Sequence, residues 1–311
     1  MNKQLLNEVI ECLNNGRRLV HYYDDKYAFY LLEKYCEKNG ETSISEIKLS
    51  NFSRLLQRPK VKHFISSLGD GIVSSKGFQQ MFYEDYQSYV ITLSSWGDET
   101  TSEWDQTSVP GANLVVQINL TNQHDQWLKD LKITSEYFRF DFHPIHAIKS
   151  SMSWARIDLD FNTGEALIEE IQNDWLREAA WHARLAKKAV LRGEEYYLYF
   201  GEKISAKSML QYNKILDESY RKRWQEITLF YAIKLIKQEI GISTIFYHSF
   251  LTGALLKRIE GGLPPKSLYT QLPKRFCFSQ CTRGPDFITR HKKVRRRIKK
   301  AKQVQWFQLC L

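Results

Sequence analysis

The sequence predicts an α/β protein (α+β in detail), with a mixed sheet around a central β-hairpin, crossover helices and a helical N-terminal region. Three observations predict it. Apolar residues recur at helical spacing through the first 85 residues; the pattern then changes to alternation in "QSYVITLSS", "NLVVQINL" and "WARIDLDF"; and a hairpin strand, long helices and the short β-rich "ISTIFYHS" follow in that order. The 311 residues, 43% hydrophobic and 14% aromatic, suffice for a substantial core. Three stretches are expected: a helical region over 1–86, an α/β core over 87–287, and a basic helix with a terminal strand over 288–311.

In "NKQLLNEVIECL", Leu5, Val9, Ile10 and Leu13 share one helical face, and "DDKYAFYLLEKYCEKNG" opens on Asp24 or Asp25 as a cap and stops at Gly40. Further helices are read in "SISEIKLSNFSRLLQ" and "KVKHFISSL". Such short helices form either a helix-turn-helix module or a cap on the main body. A polar loop, "GDETTSEWDQTSVPGA", separates the first two alternating strands.

"WARIDLDF" and "ALIEEIQ" flank Asn162, Thr163, Gly164 and Glu165, where glycine supplies the positive φ of a tight turn. With Thr163 and Gly164 as a two-residue loop, Phe161 faces Ala166, Leu159 faces Ile168, Ile157 faces Glu170 and Ala155 faces Gln172. That register puts Glu170, Gln172 and Asp174 on the apolar side. Arg156, Asp158, Asp160 and Glu169 then occupy the opposite, solvated or helix-capped side. After Trp175, "LREAAWHARLAKKAVLRG" reads as a helix, and "YRKRWQEITLFYAIKLIKQEIG" as a second one, buried because it is apolar nearly all round. The strand–helices–strand order makes the strands ending at Asp174 and His248 parallel, with their carboxyl ends on one edge of the sheet, where ligands collect in open α/β folds.

A carboxylate on an apolar face must be protonated, paired or hydrogen bonded. Two readings stay open for Glu170, Gln172 and Asp174 with His248 nearby. One is a general base with an orienting amide, or a site for a cationic ligand group; the other is a structural tie of Glu170 to Arg221, Lys222 or Arg223. His143 and His146 in "FHPIHA" are separated by Pro144, so they are no helical metal pair and read as surface or packing groups. Cys12, Cys36, Cys277, Cys281 and Cys310 are scattered and odd in number, which suits reduced thiols, a cytoplasmic location and no zinc site. No nucleophile-elbow, zincin, Walker or dinucleotide motif stands in the chain. No apolar run is long enough to cross a membrane.

The net charge of +10 is concentrated in "RHKKVRRRIKKAK", where Arg290, Lys292, Lys293, Arg295, Arg296, Arg297, Lys299, Lys300 and Lys302 stand without an acid. Val294, Ile298 and Ala301 line one face of a helix and leave the cations on the others. Such a helix neutralises the phosphates of a nucleic acid or another polyanion in a salt-dependent way, unless the acidic side of Asp158, Asp160 and Glu169 balances it.

"LIEEIQNDW" resembles a domain of phage large polyvalent proteins whose hallmark reads roughly "IEEIQSDW", and "GEALIEEIQNDW" resembles a group of bacterial proteins that share it. The likeness runs over about residues 106–285. Glu169, Glu170, Gln172, Asp174 and Trp175 stand as in the hallmark, with Asn173 in place of serine. It supports the site without implying a reaction. In topology, the strand, long helix, strand "STIFYH", helix "LTGALLKRI" and "LYTQLPKRFCF" are similar to the second half of GNAT acyltransferases. That similarity implies coenzyme A and makes Tyr269 the acid, although the glycine-bearing pyrophosphate loop is replaced by an insertion. The expectation is therefore a nucleic-acid-associated protein with a ligand or catalytic pocket at Glu170, Gln172, Asp174 and His248. A GNAT-like acyltransferase and a protein-interaction adaptor are the alternatives.

Overall fold

The computed structural model describes residues 1–98, 106–259, 261–301 and 303–311. The loop expected around 99–105 and Lys302 lie outside them. Eight strands form one mixed sheet: β1 (Arg18–Tyr22), β2 (Gln87–Trp96), β3 (Asn113–Asn119), β4 (Ser151–Asp160), β5 (Glu165–Gln172), β6 (Thr244–His248), β7 (Ser279–Cys281) and β8 (Trp306–Cys310). Their spatial order is β1-β2-β3-β4-β5-β6-β8-β7. Neighbours run antiparallel except β5 and β6, which are parallel, as their helical crossover requires. The α/β class with a mixed sheet is thus observed.

The principal helices are α1 (Lys3–Cys12), α2 (Lys26–Asn39), α3 (Trp175–Leu191), α4 (Ala206–Leu216), α5 (Trp224–Lys234), α6 (Phe250–Lys257) and α7 (Lys292–Lys300). The N-terminal region is not helical throughout. Arg18–Tyr22 pairs with β2 as an edge strand, and it escapes sequence patterning because its side chains are mostly part-exposed and show no clean alternation. Helix α2 packs onto the body, with Tyr30 meeting Phe230 of α5 at 5.5 Å and Tyr27 stacking on Phe276 at 4.3 Å. Residues of α1 and α2 belong to the same apolar core as α5.

The hairpin differs from its expected register in two ways. Asp160 accepts the Thr163 N–H at 2.9 Å and the Thr163 hydroxyl at 2.6 Å, so the turn takes in Phe161, Asn162, Thr163 and Gly164. Leu159 then pairs with Ala166 and Ile157 with Ile168, and Phe161 is left half exposed. Gly164 does adopt the required positive φ of 64°. Further along, a bulge between the Ile157 and Arg156 pairings inserts Glu169, after which Arg156 pairs with Glu170 and Ala155 with Ile171. One extra residue reverses the alternation. Glu170 and Gln172 therefore leave the Ile157 side, where they were expected, and Ile171 takes the apolar position instead.

The face opposite the large core is not solvated either. Leu167 and Phe246 meet Leu256, Ile288, Val294 and Trp306 there in a second, smaller apolar cluster. Both faces of β5 and β6 are buried, and any charge there needs a partner.

Candidate functional site

Helix α6 begins where Ser249 accepts the Thr252 N–H, and its last turn brings Lys257 under β5. Lys257 Nζ lies 3.3 Å from Glu170 Oε2 and 3.2 Å from the Glu169 carbonyl oxygen, while Arg156 donates to the same Glu170 oxygen. All three side chains are buried. Burial by itself pushes the Glu170 carboxyl up, but the Lys257 ammonium and the Arg156 guanidinium override it and hold the group at about 2. Glu170 is thus an ionised carboxylate between two cations. It is not tied to Arg221, Lys222 or Arg223: Arg221 pairs with Asp217 and Arg223 with Asp24.

The carboxylate that meets His248 is Glu169, not Glu170. Glu169 Oε2 lies 2.9 Å from His248 Nε2 and 2.9 Å from the Ser108 hydroxyl, and Oε1 accepts the Ser108 N–H at 3.1 Å. Burial favours neutral His248 against the pull of Glu169, and the same contacts with His248 keep Glu169 below the ordinary carboxylate range despite burial. A neutral imidazole donating from Nε2 to an ionised carboxylate satisfies both directions. Its Nδ1 is then an unprotonated acceptor, and it has no hydrogen-bond partner. His248 stacks on Trp306 at 5.0 Å and is shut off from solvent.

At the carboxyl end of β5, Asp174 collects four donors. Oδ2 takes His143 Nδ1 at 2.7 Å and Trp154 Nε1 at 3.2 Å; Oδ1 takes Gln172 Nε2 at 2.8 Å and Arg177 at 2.9 Å. Burial opposes ionisation here, but His143, Arg177 and Gln172 outweigh it and lower the Asp174 carboxyl. His143, read from sequence as a surface or packing group, is therefore a member of the site. Only the His-Pro pair of a loop marked it, and nothing local linked it to Asp174, 31 residues away.

Helix α3 starts directly after Asp174. Asn173 Oδ1 accepts the Leu176 N–H at 2.7 Å, which satisfies one of the free N–H groups of the first turn. Asn173→Ala is expected to destabilise the fold by about 1 kcal/mol, as loss of a capping side chain does, measured by urea unfolding; an unchanged midpoint would show that the cap contributes nothing.

Glu170, Gln172, Asn173 and His143 line one cleft of about 660 Å³ whose other walls include Phe140, Leu176, Trp224 and the 261–265 loop. Of the expected site residues, Glu170, Gln172 and Asp174 are brought together. His248, expected beside Glu170, belongs instead to a separate buried cluster with Glu169 and Ser108. Tyr269 ends a short 3₁₀ turn (Lys266–Tyr269) followed by a helical turn rather than a strand, and it packs on Tyr247 at 5.5 Å with its hydroxyl unpartnered. Lys257 and Arg156, which ionise Glu170, carried no sequence signal as site residues.

Helix α7 forms as expected and the terminal strand follows as β8. Val294 is fully buried and Ile298 packs beside it on the second cluster, so the apolar stripe pins the helix. Ala301 lies just past the helix end. Arg290 pairs with Asp286, and Arg297 donates to the Leu256 carbonyl. Among the described residues, Lys292, Lys293, Arg295, Arg296, Lys299 and Lys300 are exposed and have no ion-pair partner. The acids expected to balance them are engaged elsewhere: Asp158 with the Met1 amino group at 3.0 Å, Asp160 with Thr163, and Glu169 with His248.

Among the described residues no helix is long and apolar enough to cross a membrane. No family model matches the chain, and neither a curated protein nor a solved structure matches it.

Proposed function

We propose that the chain is a polyanion-binding, nucleic-acid-associated protein of the cytoplasm, in which α7 holds the phosphate backbone and the cleft at the end of β5 takes a ligand. The observation that carries this reading is the set of six open cations on α7. A helix anchored through Val294 and Ile298 presents them as a fixed surface, and no described acid competes for them. Each phosphate that such a surface neutralises releases condensed counterions, so affinity comes without base reading and falls steeply with salt. The thiols are all free, which suits a reducing compartment.

Fluorescence anisotropy with short DNA and RNA oligonucleotides at about 50 to 200 mM salt tests the reading. The expected slope of log K for association against log salt is about −0.7 to −0.9 per phosphate contacted, and its magnitude falls by about two to three in a variant with Arg295, Arg296 and Lys299 all changed to Ala. Arg297 is kept because its bond to the Leu256 carbonyl belongs to the packing. Binding indifferent to salt, or equal in the triple variant, would refute the proposal.

A further inference from the structure

The cleft contains a polar pair that the buried ion pairs do not use. A carboxylate only accepts, so His143 Nδ1, 2.7 Å from Asp174 Oδ2, carries a proton, and on a ring that holds only this one proton Nε2 is an acceptor. Gln172 Nε2 stands 3.2 Å from the same Nδ1, but two N–H groups do not bond, and its proton goes to Asp174. Among the described residues Nε2 of His143 has no partner. Asn173 complements it: its carbonyl oxygen is used by the Leu176 N–H, while its Nδ2 is buried without a partner. Both residues line the one cleft.

Much of the remaining lining is apolar, with Arg177, Arg221, Glu170 and Gln106 set among it. Phe140 packs against the His143 ring at 4.5 Å, and Trp224 and Leu176 line the same space. One short stretch of chain, residues 256–259, links α7 to the cleft wall. Arg297 of α7 donates to the Leu256 carbonyl, the next residue, Lys257, bonds Glu170 on the cleft wall, and Ile259 just beyond lines the cleft itself.

We propose that the cleft receives a single unstacked nucleobase from the strand whose backbone lies on α7. This rests on the nucleic-acid reading above and adds the ligand of its cleft. A nucleobase offers what the site is built to meet: an apolar π-face for the aromatic wall, and an edge on which a carbonyl acceptor stands beside a ring or exocyclic donor. Asn173 Nδ2 donates to the acceptor and His143 Nε2 accepts from the donor. Asp174, itself held by Trp154, Gln172 and Arg177, fixes the tautomer that makes this possible.

The test is NMR of the full chain labelled with ¹⁵N in its histidine rings, titrated with adenosine, cytidine, guanosine and uridine in turn. At least one nucleoside is expected to shift the His143 ring resonances. Asn173→Ser, whose hydroxyl keeps the cap, is expected to weaken that nucleoside about ten-fold, and His143→Phe to abolish its binding, read by calorimetry. The α7 triple variant is expected to lose oligonucleotide affinity and keep the nucleoside response. If no nucleoside moves His143, or if Asn173→Ser binds as the parent does, the inference is overturned while oligonucleotide binding still stands. If oligonucleotides fail to bind but nucleosides do, the α7 reading falls and the cleft survives. Should His143→Phe not fold, Asn173→Ser decides.

Discussion

Arg156→Met is expected to destabilise the fold by about 3–5 kcal/mol, the range found when one member of a buried ion pair is removed. Its guanidinium is the closest cation to Glu170, and Glu170, Arg156 and Lys257 are all withdrawn from water. Methionine fills much of the same volume, so the loss is chiefly that of the charge and its hydrogen bonds. Glu170 would keep only Lys257 at 3.3 Å, a contact too few for a carboxylate whose side chain is only 9% exposed. Urea unfolding followed by tryptophan fluorescence measures the loss. The exposed Lys293→Met on α7 serves as the reference and should stay within about 0.5 kcal/mol of the parent. A drop of less than about 1 kcal/mol in Arg156→Met would mean that Glu170 does not depend on this pair.

Acid should unfold the protein earlier than ordinary carboxylates require, and Glu170 is the main reason. Its carboxyl stands near 4.5 in the unfolded chain and about 2 in the fold, so the ionised form is favoured on folding. That stability is complete above about pH 4.5 and is lost as pH falls toward 2; by linkage it amounts to about 3 kcal/mol. Glu169 and Asp174, both lowered, add in the same direction. His248 acts earlier. Burial keeps it neutral in the fold, so the unfolded chain binds more protons as pH drops through the ordinary histidine range near 6.5, and stability falls there too. Asp158, which burial raises to about 6, opposes the first of these losses, so unfolding free energy measured from pH 7 to 2.5 should show a blunted first stage near pH 6 and a clear second decline below about 4.5. In Glu170→Gln the second stage should be shallower. An identical slope in parent and variant below pH 4.5 would remove Glu170 from this role.

Both expectations depend on where the chain places two adjacent glutamates, and sequence reading matched His248 with the wrong one. Alternation in "WARIDLDF" and "ALIEEIQ" identifies the strands, because side-chain direction has a period of two wherever one face is buried. It identifies Glu170 as a buried acid for the same reason. Alternation cannot see an inserted residue. The bulge at Glu169 exists because the ladder to β4 slips by one between Ile157 and Arg156, and its benefit is distributed over Arg156, Lys257, Ser108 and His248. The turn register failed similarly: Gly164 announced a tight turn, but Asp160 drew Thr163 into a wider one.

The sequence by itself determined the α/β class, the hairpin, the parallel return of "STIFYH" beside it, and the cationic helix with its Val294–Ile298 stripe. These are local properties, written in periods of two and 3.6 residues and in charge. Only the tertiary structure decided which acid meets which base. Glu170 finds Arg156 and Lys257, Glu169 finds His248, and Asp174 finds His143, across separations of 14 to 87 residues. The physical reason is burial on both faces of the sheet. Once the C-terminal segment covers the second face, every charge on it must be matched by whatever the folded chain brings within bonding distance, and that is set by packing rather than by neighbours in sequence.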